Sequence, residues 1–355
     1  MLFVDLQTMS DKINEDIKYK VLFKPNREIE ELVQNTVFGT SGIRMQHKNA
    51  IKKIKELHSP EFHTLWENDR LIALSTYCKR KFKVKDIEQT GYYIRYFSVH
   101  PHYQNRGIGQ LLTRKIENYY KKELTRSTIF YAHIEEKNLK SLGVSKHFNQ
   151  KVIGTIKPLF FSRFFTKKNK NCWVVKEEEL EEAKTILQNH YTQTYATWLY
   201  RIGYENGCMV YKAQGKIVAI LQANKIEWKI NSFPGLVGWL SLHILPYIPI
   251  LGRVGGIKHF DFVGFEGLYC KKGFEKELIQ LMEYALYQKK VNRGLVYLDT
   301  KDTLYQRLKK QNLGIFNRLN NPPTISVLRN TYKTSEREEN IAFELPIYTS
   351  SYDVS

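Results

Sequence analysis

The chain holds four cysteines in 355 residues, Cys78, Cys172, Cys208 and Cys270, with no CxxC spacing and no matching histidine pair. That excludes a disulfide framework and a Cys/His zinc site and leaves the thiols as reduced, buried groups, so no metal is expected. No long stretch is rich in Gly, Ser or Pro and poor in apolar residues, which excludes an extended disordered region. Met1–Lys12 has no basic segment followed by an apolar one, so no secretory signal is read and a cytoplasmic location is the expectation. Only one apolar run, Phe233–Leu251, approaches the length of a membrane span. Pro246 and Pro249 would break a helix there and Gly235 and Gly238 weaken its start, which assigns it to buried strands or to a pocket-lining loop.

What is present is ample apolar material, 42% of residues with 13% aromatic, in a chain long enough for two globular units. The net charge is +19 and uneven: residues 1–170 carry +15 and the remainder +4. A basic first half seeks anions, whether a phosphorylated small molecule, RNA, DNA or an acidic lipid surface, or is simply a solvated basic face.

Periodicity gives a strand at Lys20–Phe23, a helix after Asn26 with Ile29, Leu32 and Val33 on one face, and a second helix over Gln46–Leu57. A hairpin follows, Phe62–Trp66 and Leu71–Tyr77, turning through Glu67, Asn68 and Asp69. Tyr92–Val99 reads as a strand, Ile108–Lys122 as a helix with Leu112, Ile116, Tyr119 and Tyr120 on its apolar side, and Thr128–Ile134 as the next strand. A helix near Asn138–Phe148 and a strand from Val152 close a unit of α/β class, a mixed sheet with helices on both faces.

The spacing places that unit at 15–165, a polar linker TKKNKN at 166–171, a second unit at 172–335 and a C-terminal tail at 336–355. At an offset of 166 residues Gly107 falls on Gly273 and Leu112 on Leu278, so the second unit reads as a related, degenerate copy of the first.

The chemistry concentrates in Phe97-Ser98-Val99-His100-Pro101-His102-Tyr103-Gln104-Asn105-Arg106-Gly107-Ile108-Gly109. A strand runs through a glycine turn into a helix whose first N–H groups lack intrahelical partners, which makes an anion site. The glycines keep Cβ atoms out of the way, and Arg106 adds charge. A dinucleotide fingerprint would need a third glycine where Leu112 stands, and a P-loop would need Gly-Lys-Ser/Thr, so neither fits.

The preceding Val99–Pro101 and the Q-x-x-G-x-G pattern at Gln104, Gly107 and Gly109 resemble the GNAT superfamily of N-acetyltransferases, over about residues 18–160. The resemblance implies a GNAT-like fold and acetyl-CoA as acyl donor to a primary amine attacking directly. It also implies a pyrophosphate held by Gln104, Asn105, Arg106, Gly107, Ile108 and Gly109, with backbone groups of Phe97 and Val99 pairing the pantetheine arm. Asn138, with Ser141 a turn further on, would face the cofactor, and Asn138 alone would also serve as a helix N-cap.

Two family features are absent. The position of the tyrosine that protonates the departing thiolate is Ser145, a poor acid, although a thiol of pKa about 8.5 leaves without much help. The strand Tyr92–Val99 has no carboxylate to act as base. His133 and Glu135, on one face of the neighbouring strand, are the best candidates for that role, ahead of His100 and His63. In the second unit Glu275 replaces the second glycine, which would repel a phosphate. The functions these observations leave are an amine N-acyltransferase, a non-catalytic CoA-binding or sensing protein, and a nucleic-acid-binding protein. The acceptor, whether a protein N-terminus, a lysine, a polyamine, an amino sugar or an aminoacylated RNA, is not encoded legibly.

Overall fold

The computed structural model describes residues 16–39, 43–84, 87–146, 150–248, 259–319 and 322–353. In the first half β1 (Ile17–Leu22), β3 (Pro60–Glu67), β4 (Arg70–Val84) and β5 (Ile87–Val99) lie side by side, each antiparallel to the next. The β3–β4 hairpin turns at Asn68 and Asp69, both with positive φ, the conformation that matches the twist of the strands it joins. α1 (Arg27–Asn35) is capped by Asn26, whose Oδ1 accepts from the Ile29 N–H at 3.0 Å. It buries Ile29 and Val33 against Phe62, Leu74 and Cys78, side chains that alternate onto one face of the sheet. The opposite face carries Leu65, Ile72 and Tyr92 and is covered by α3 (Ile108–Glu123) through Ile108, Leu112, Ile116 and Tyr120. Helices on both faces of a mixed sheet are therefore observed, as the pattern of apolar residues requires.

The next strands do not stay within their own half. β6 (Thr128–Glu135) runs parallel to β5, but its other neighbour is β13 (Ile325–Tyr332), which separates it from β7 (Lys151–Ser162). β7 in turn pairs with β12 (Arg293–Asp299) over Ser162–Ile156. Beyond β12 come β11 (His259–Cys270), β10 (Lys216–Ser232), β9 (Cys208–Ala213) and β8 (Cys172–Val174), so one sheet of thirteen strands runs through both halves. The second half repeats the succession of the first: β11 and β12 are a parallel pair joined through α7 (Glu275–Lys289), which buries Leu278, Leu281 and Met282.

Three segments differ from the sequence expectation. Gln46–Leu57 is not one helix: β2 (Arg44–His47) adds to the edge of β10 through Trp228↔His47 and Ile230↔Met45, and α2 (Ala50–Lys55) starts only after that pairing ends. A long-range edge outweighed a local helical period. The described part of the run from Phe233, up to Ile248, is only partly covered: Phe233 and Leu242 pack against the core, while α6 (Gly235–His243) leaves Leu236 and Trp239 73% and 52% exposed, and Tyr247 is 81% exposed. Its inward face carries Leu242 beside the small Gly238 and Ser241, while Pro234 precedes it and Pro246 follows. No described helix is long and apolar enough to cross a membrane. After α10 (Glu336–Glu344), capped by Ser335 and Glu338, residues 347–353 are buried: Ile347 donates to Asp299, and Ser350 and Ser351 reach Glu266 and Asn224.

Candidate active site

β5 and β6 are paired only from Thr90/Thr128 to Tyr93/Tyr131. Three residues on, Tyr96 takes φ +53° and the β4–β5 register slips between Leu74 and Thr76, a bulge that turns β5 away from its parallel neighbour. The strands then diverge around a cleft of about 280 Å³, with Ile94–Phe97 on one wall and Ala132–Glu135 on the other. Backbone groups at such a gap are free of their usual ladder partners, which suits an extended ligand lying between them as a strand would. α4 (Leu139–Lys146) closes one side with Ser141 and Ser145, joined by Asn138 just before it.

β5 ends at Val99 and leads into the glycine loop. Gln104 turns back and donates from Nε2 to the Val99 carbonyl at 3.1 Å. Asn105 and Gly107 have φ +61° and +74°, Arg106 stacks on Tyr103 at 5.8 Å, and α3 begins at Ile108 with no side-chain cap. A Cβ on Gly107 would meet nothing within 4 Å, so this backbone faces open space; at Gly109 a Cβ would meet the Phe97 ring at 3.4 Å, so that glycine serves packing against β5. In the second half the matching helix start is already occupied. Glu275 accepts from the Gly273 N–H at 3.3 Å and from Arg307 at 2.7 Å, a built-in carboxylate where an external anion would sit.

The structure brings His133, Glu135, Asn138, Ser141, Ser145 and Phe97 together around the cleft; Val99 and Gln104–Gly109 form the adjoining loop. His133 Nδ1 lies 3.2 Å from the Tyr93 hydroxyl, while Nε2 is buried without a hydrogen-bond partner. Burial pushes the imidazole down to about 4, keeping it neutral at pH 7 with a lone pair available. Burial raises the Glu135 carboxyl above its ordinary value, against a smaller pull from Lys137. Asn138 caps α4, its Oδ1 accepting from the Ser141 N–H at 3.1 Å, and Ser145 donates its hydroxyl to the Ser141 carbonyl at 2.9 Å. His63 lies among Tyr19 and Tyr120, and His100 beside Arg70; neither lines the cleft.

Two cleft residues had no sequence signal. Arg95 donates to the Tyr96 hydroxyl at 2.9 Å and to the Tyr352 carbonyl at 3.3 Å. Asp353 is held by both terminal guanidinium nitrogens of Arg80 at 2.6 and 2.7 Å, across 273 residues of chain. No motif links positions so far apart, and only the buried C-terminal segment puts them together. Among the described residues no group of three or more His, Cys, Asp or Glu could hold a metal.

The opened parallel pair, the bulge and the uncapped glycine loop all fall within residues 28–149, the span that matches the family model described as "Acetyltransferase (GNAT) family". Residues 28–149 are a GNAT-family domain. Solved structures extend the likeness of fold to about nine-tenths of the chain. N-myristoyltransferase of Saccharomyces cerevisiae with bound myristoyl-CoA is similar over 90% of this chain and 84% of that one, at TM-score 0.59 and 9% identity. A GCN5-related N-acetyltransferase from Sphaerobacter thermophilus is similar over 89% and 96%, at TM-score 0.52 and 10% identity. At such identities the likeness concerns the fold. No curated protein matches the chain. The GNAT-family domain and its continuation share one sheet, and the cleft lies where β5 and β6 part.

Proposed function

We propose that the protein is an acyl-CoA-dependent N-acyltransferase that moves an acetyl group from acetyl-CoA to a primary amine by direct attack. The observation that carries this reading is the parting of β5 and β6 beyond Tyr93/Tyr131, next to an uncapped helix start at Gly107. Gln104–Gly109 would bind the diphosphate with backbone N–H groups, and the pantetheine arm would lie along Phe97 and Val99. A cleft of about 280 Å³ is small for a ligand site, which supports a short acyl group.

The amine arrives as ammonium and must lose a proton before its lone pair attacks the thioester carbonyl. Glu135 is the group proposed to take it, because its raised pKa makes it a better base than an ordinary carboxylate. Neutral His133 is the second candidate, through Nε2. As the tetrahedral intermediate collapses the C–S bond breaks and the thiolate leaves, and the second proton shed by the nitrogen passes to that thiolate or to solvent, giving the amide and the free thiol. Ser145 is a weak acid for that step, its hydroxyl already donating within α4. This feature favours a second reading, a CoA-binding protein without turnover. The second half, its loop filled by Glu275, would act as a scaffold and cover for the acceptor.

Calorimetry with CoA on the intact chain and on Gly107→Glu, together with thiol release from acetyl-CoA over a panel of amines, tests both readings. Binding lost in the variant and amine-dependent thiol release support the enzyme. Binding without release under any amine supports the second reading, and an intact chain that binds neither CoA nor its thioesters overturns both.

A further inference from the structure

The cleft passes through the sheet from one face to the other. Tyr92 and Phe130 lean toward α3, whereas Tyr93 and Tyr131 pack into the core on the side of α1. His133 and Glu135, two and four residues beyond Tyr131, keep to the side of Tyr131 because side chains alternate along a strand. Thr113 of α3 lines the cleft on one face of the sheet; Tyr93, His133 and Asp353 line it on the other. An acyl donor held at the start of α3 and an acceptor arriving from the His133 side would meet in the gap between β5 and β6.

Hydrogen bonding on that second side fixes the His133 ring. The Tyr93 hydroxyl lies 3.1 Å from the Asp353 carbonyl oxygen and 3.2 Å from His133 Nδ1. A hydroxyl has one hydrogen and a carbonyl can only accept, so that hydrogen goes to Asp353. Burial, reinforced by Asp353, pushes the Tyr93 pKa well up and keeps the hydrogen in place. The contact with His133 is then attractive only when Nδ1 carries a hydrogen and donates it to the Tyr93 oxygen. Burial has pushed the imidazole down to about 4, so the neutral ring has a single N–H and its Nε2 is a bare lone pair. Nε2 is buried and has no partner among the described residues. Buried polar atoms in folded proteins are paired, and the group that completes this one must be an N–H or O–H donor.

We propose that His133 Nε2 accepts a hydrogen bond from the acyl-acceptor amine, and that Tyr93, itself held by the C-terminal segment, is the positioning residue that fixes the ring in the tautomer able to do so. This rests on the acyl-transfer reading and divides the labour within it. The thioester end of the donor has no N–H to offer, and its pantetheine amides would lie along β5, which leaves the acceptor as the source of the hydrogen. Glu135 takes the proton; His133, too weak a base for an alkylammonium, holds the nitrogen by a second N–H. A primary ammonium has hydrogens for both groups. A hydroxyl has one, so the pair selects nitrogen over oxygen as the acyl acceptor.

The test reads the ring directly. Long-range proton–nitrogen NMR spectra of the intact, histidine-labelled chain, assigned with His133→Phe, are expected to show Nδ1 protonated and Nε2 bare. The Nε2 resonance should move when spermidine, glucosamine, lysine amide or a peptide with an N-terminal glycine is added in the presence of CoA, and most for the one that releases thiol from acetyl-CoA fastest. In Tyr93→Phe the two tautomers should mix and the KM for that amine rise at least about ten-fold, while the KM for acetyl-CoA stays within about two-fold. Unchanged CoA affinity by calorimetry shows that the variant is folded. His133→Gln, whose side-chain oxygen can stand near the place of Nε2, should keep more amine affinity than His133→Phe, which has no acceptor. A ring protonated at Nε2 in the unmodified chain, an Nε2 resonance indifferent to all four amines, or a Tyr93→Phe loss confined to kcat overturns the proposal. Absence of thiol release with every amine, while one of them still moves the Nε2 resonance, would remove the acyl-transfer reading and leave the amine contact standing.

Discussion

Gly107 and Gly109 stand two positions apart in one loop, yet the physics that selects each is different. Gly107 has φ +74° and open space around its Cα, so an added methyl meets nothing but must sit in a backbone region that L residues avoid. Gly107→Ala is expected to lower stability by about 1 kcal/mol through that strain, read by denaturant unfolding, with CoA binding largely kept. Gly109 lies inside α3 with ordinary φ, and its Cβ would touch Phe97 at 3.4 Å; Gly109→Ala should be nearly neutral, and a loss above about 2 kcal/mol would mean Phe97 cannot yield. Glu135 offers the residue-scale test of chemistry. A carboxyl raised by burial is protonated at low pH and becomes a base only as pH passes its elevated pKa. If it is the general base, kcat/KM climbs with pH through a limb above the usual carboxylate range. Glu135→Gln then loses that limb along with roughly 10²–10⁴ in rate. Should Glu135→Gln keep its rate while His133→Gln loses it, the proton passes to imidazole instead, whose limb would sit near 4.

At the scale of elements, legibility followed the range of the forces involved. The β3–β4 hairpin, α1 and α3 were readable because caps, turns and apolar stripes act within a few residues. The glycine loop before α3 was readable for the same reason, its pattern and helix start being contiguous. β2 was not, since its strand form depends on Trp228 and Ile230, more than 180 residues away. Nor was Asp353, whose place in the cleft depends on a partner at the far end of the fold. α6 was misjudged in part: apolar composition suggested burial throughout, but the short helix between Pro234 and Pro246 turns Gly238, Ser241 and Leu242 inward and leaves Leu236 and Trp239 outside. Its outward side chains should matter little to folding. Leu236→Ser is expected to change stability by no more than about 0.5 kcal/mol, whereas Ile226→Ala, fully enclosed in the preceding strand, should cost about 2–5 kcal/mol. Equal costs in chemical denaturation would mean that α6 is covered in solution.

Across the whole molecule, the sheet does not respect the division of the sequence. Both neighbours of β7, β12 on one side and β13 on the other, come from beyond residue 290, and β13 is also the second neighbour of β6. A fragment ending at residue 165 would therefore present β7 with no partner on either edge while Ile153, Ile156, Leu159 and Phe161 lost their cover. The fragment is expected to be insoluble or unfolded by circular dichroism, and the intact chain to unfold in a single transition. Two separate transitions, or a folded fragment that binds CoA, would show that β7 can move into the place of β13 and that the exchange is dispensable. Arg80 and Asp353 provide the matching probe inside the intact chain, since their side chains are 4% and 2% exposed and tie the C-terminal segment to the first half. Asp353→Ala leaves a buried guanidinium without its carboxylate and should cost about 3–5 kcal/mol. Because the same substitution removes a wall residue of the cleft, that loss should be accompanied by weaker acceptor binding, whereas Arg80→Met/Asp353→Leu, which removes both charges, should recover much of the stability and none of the binding.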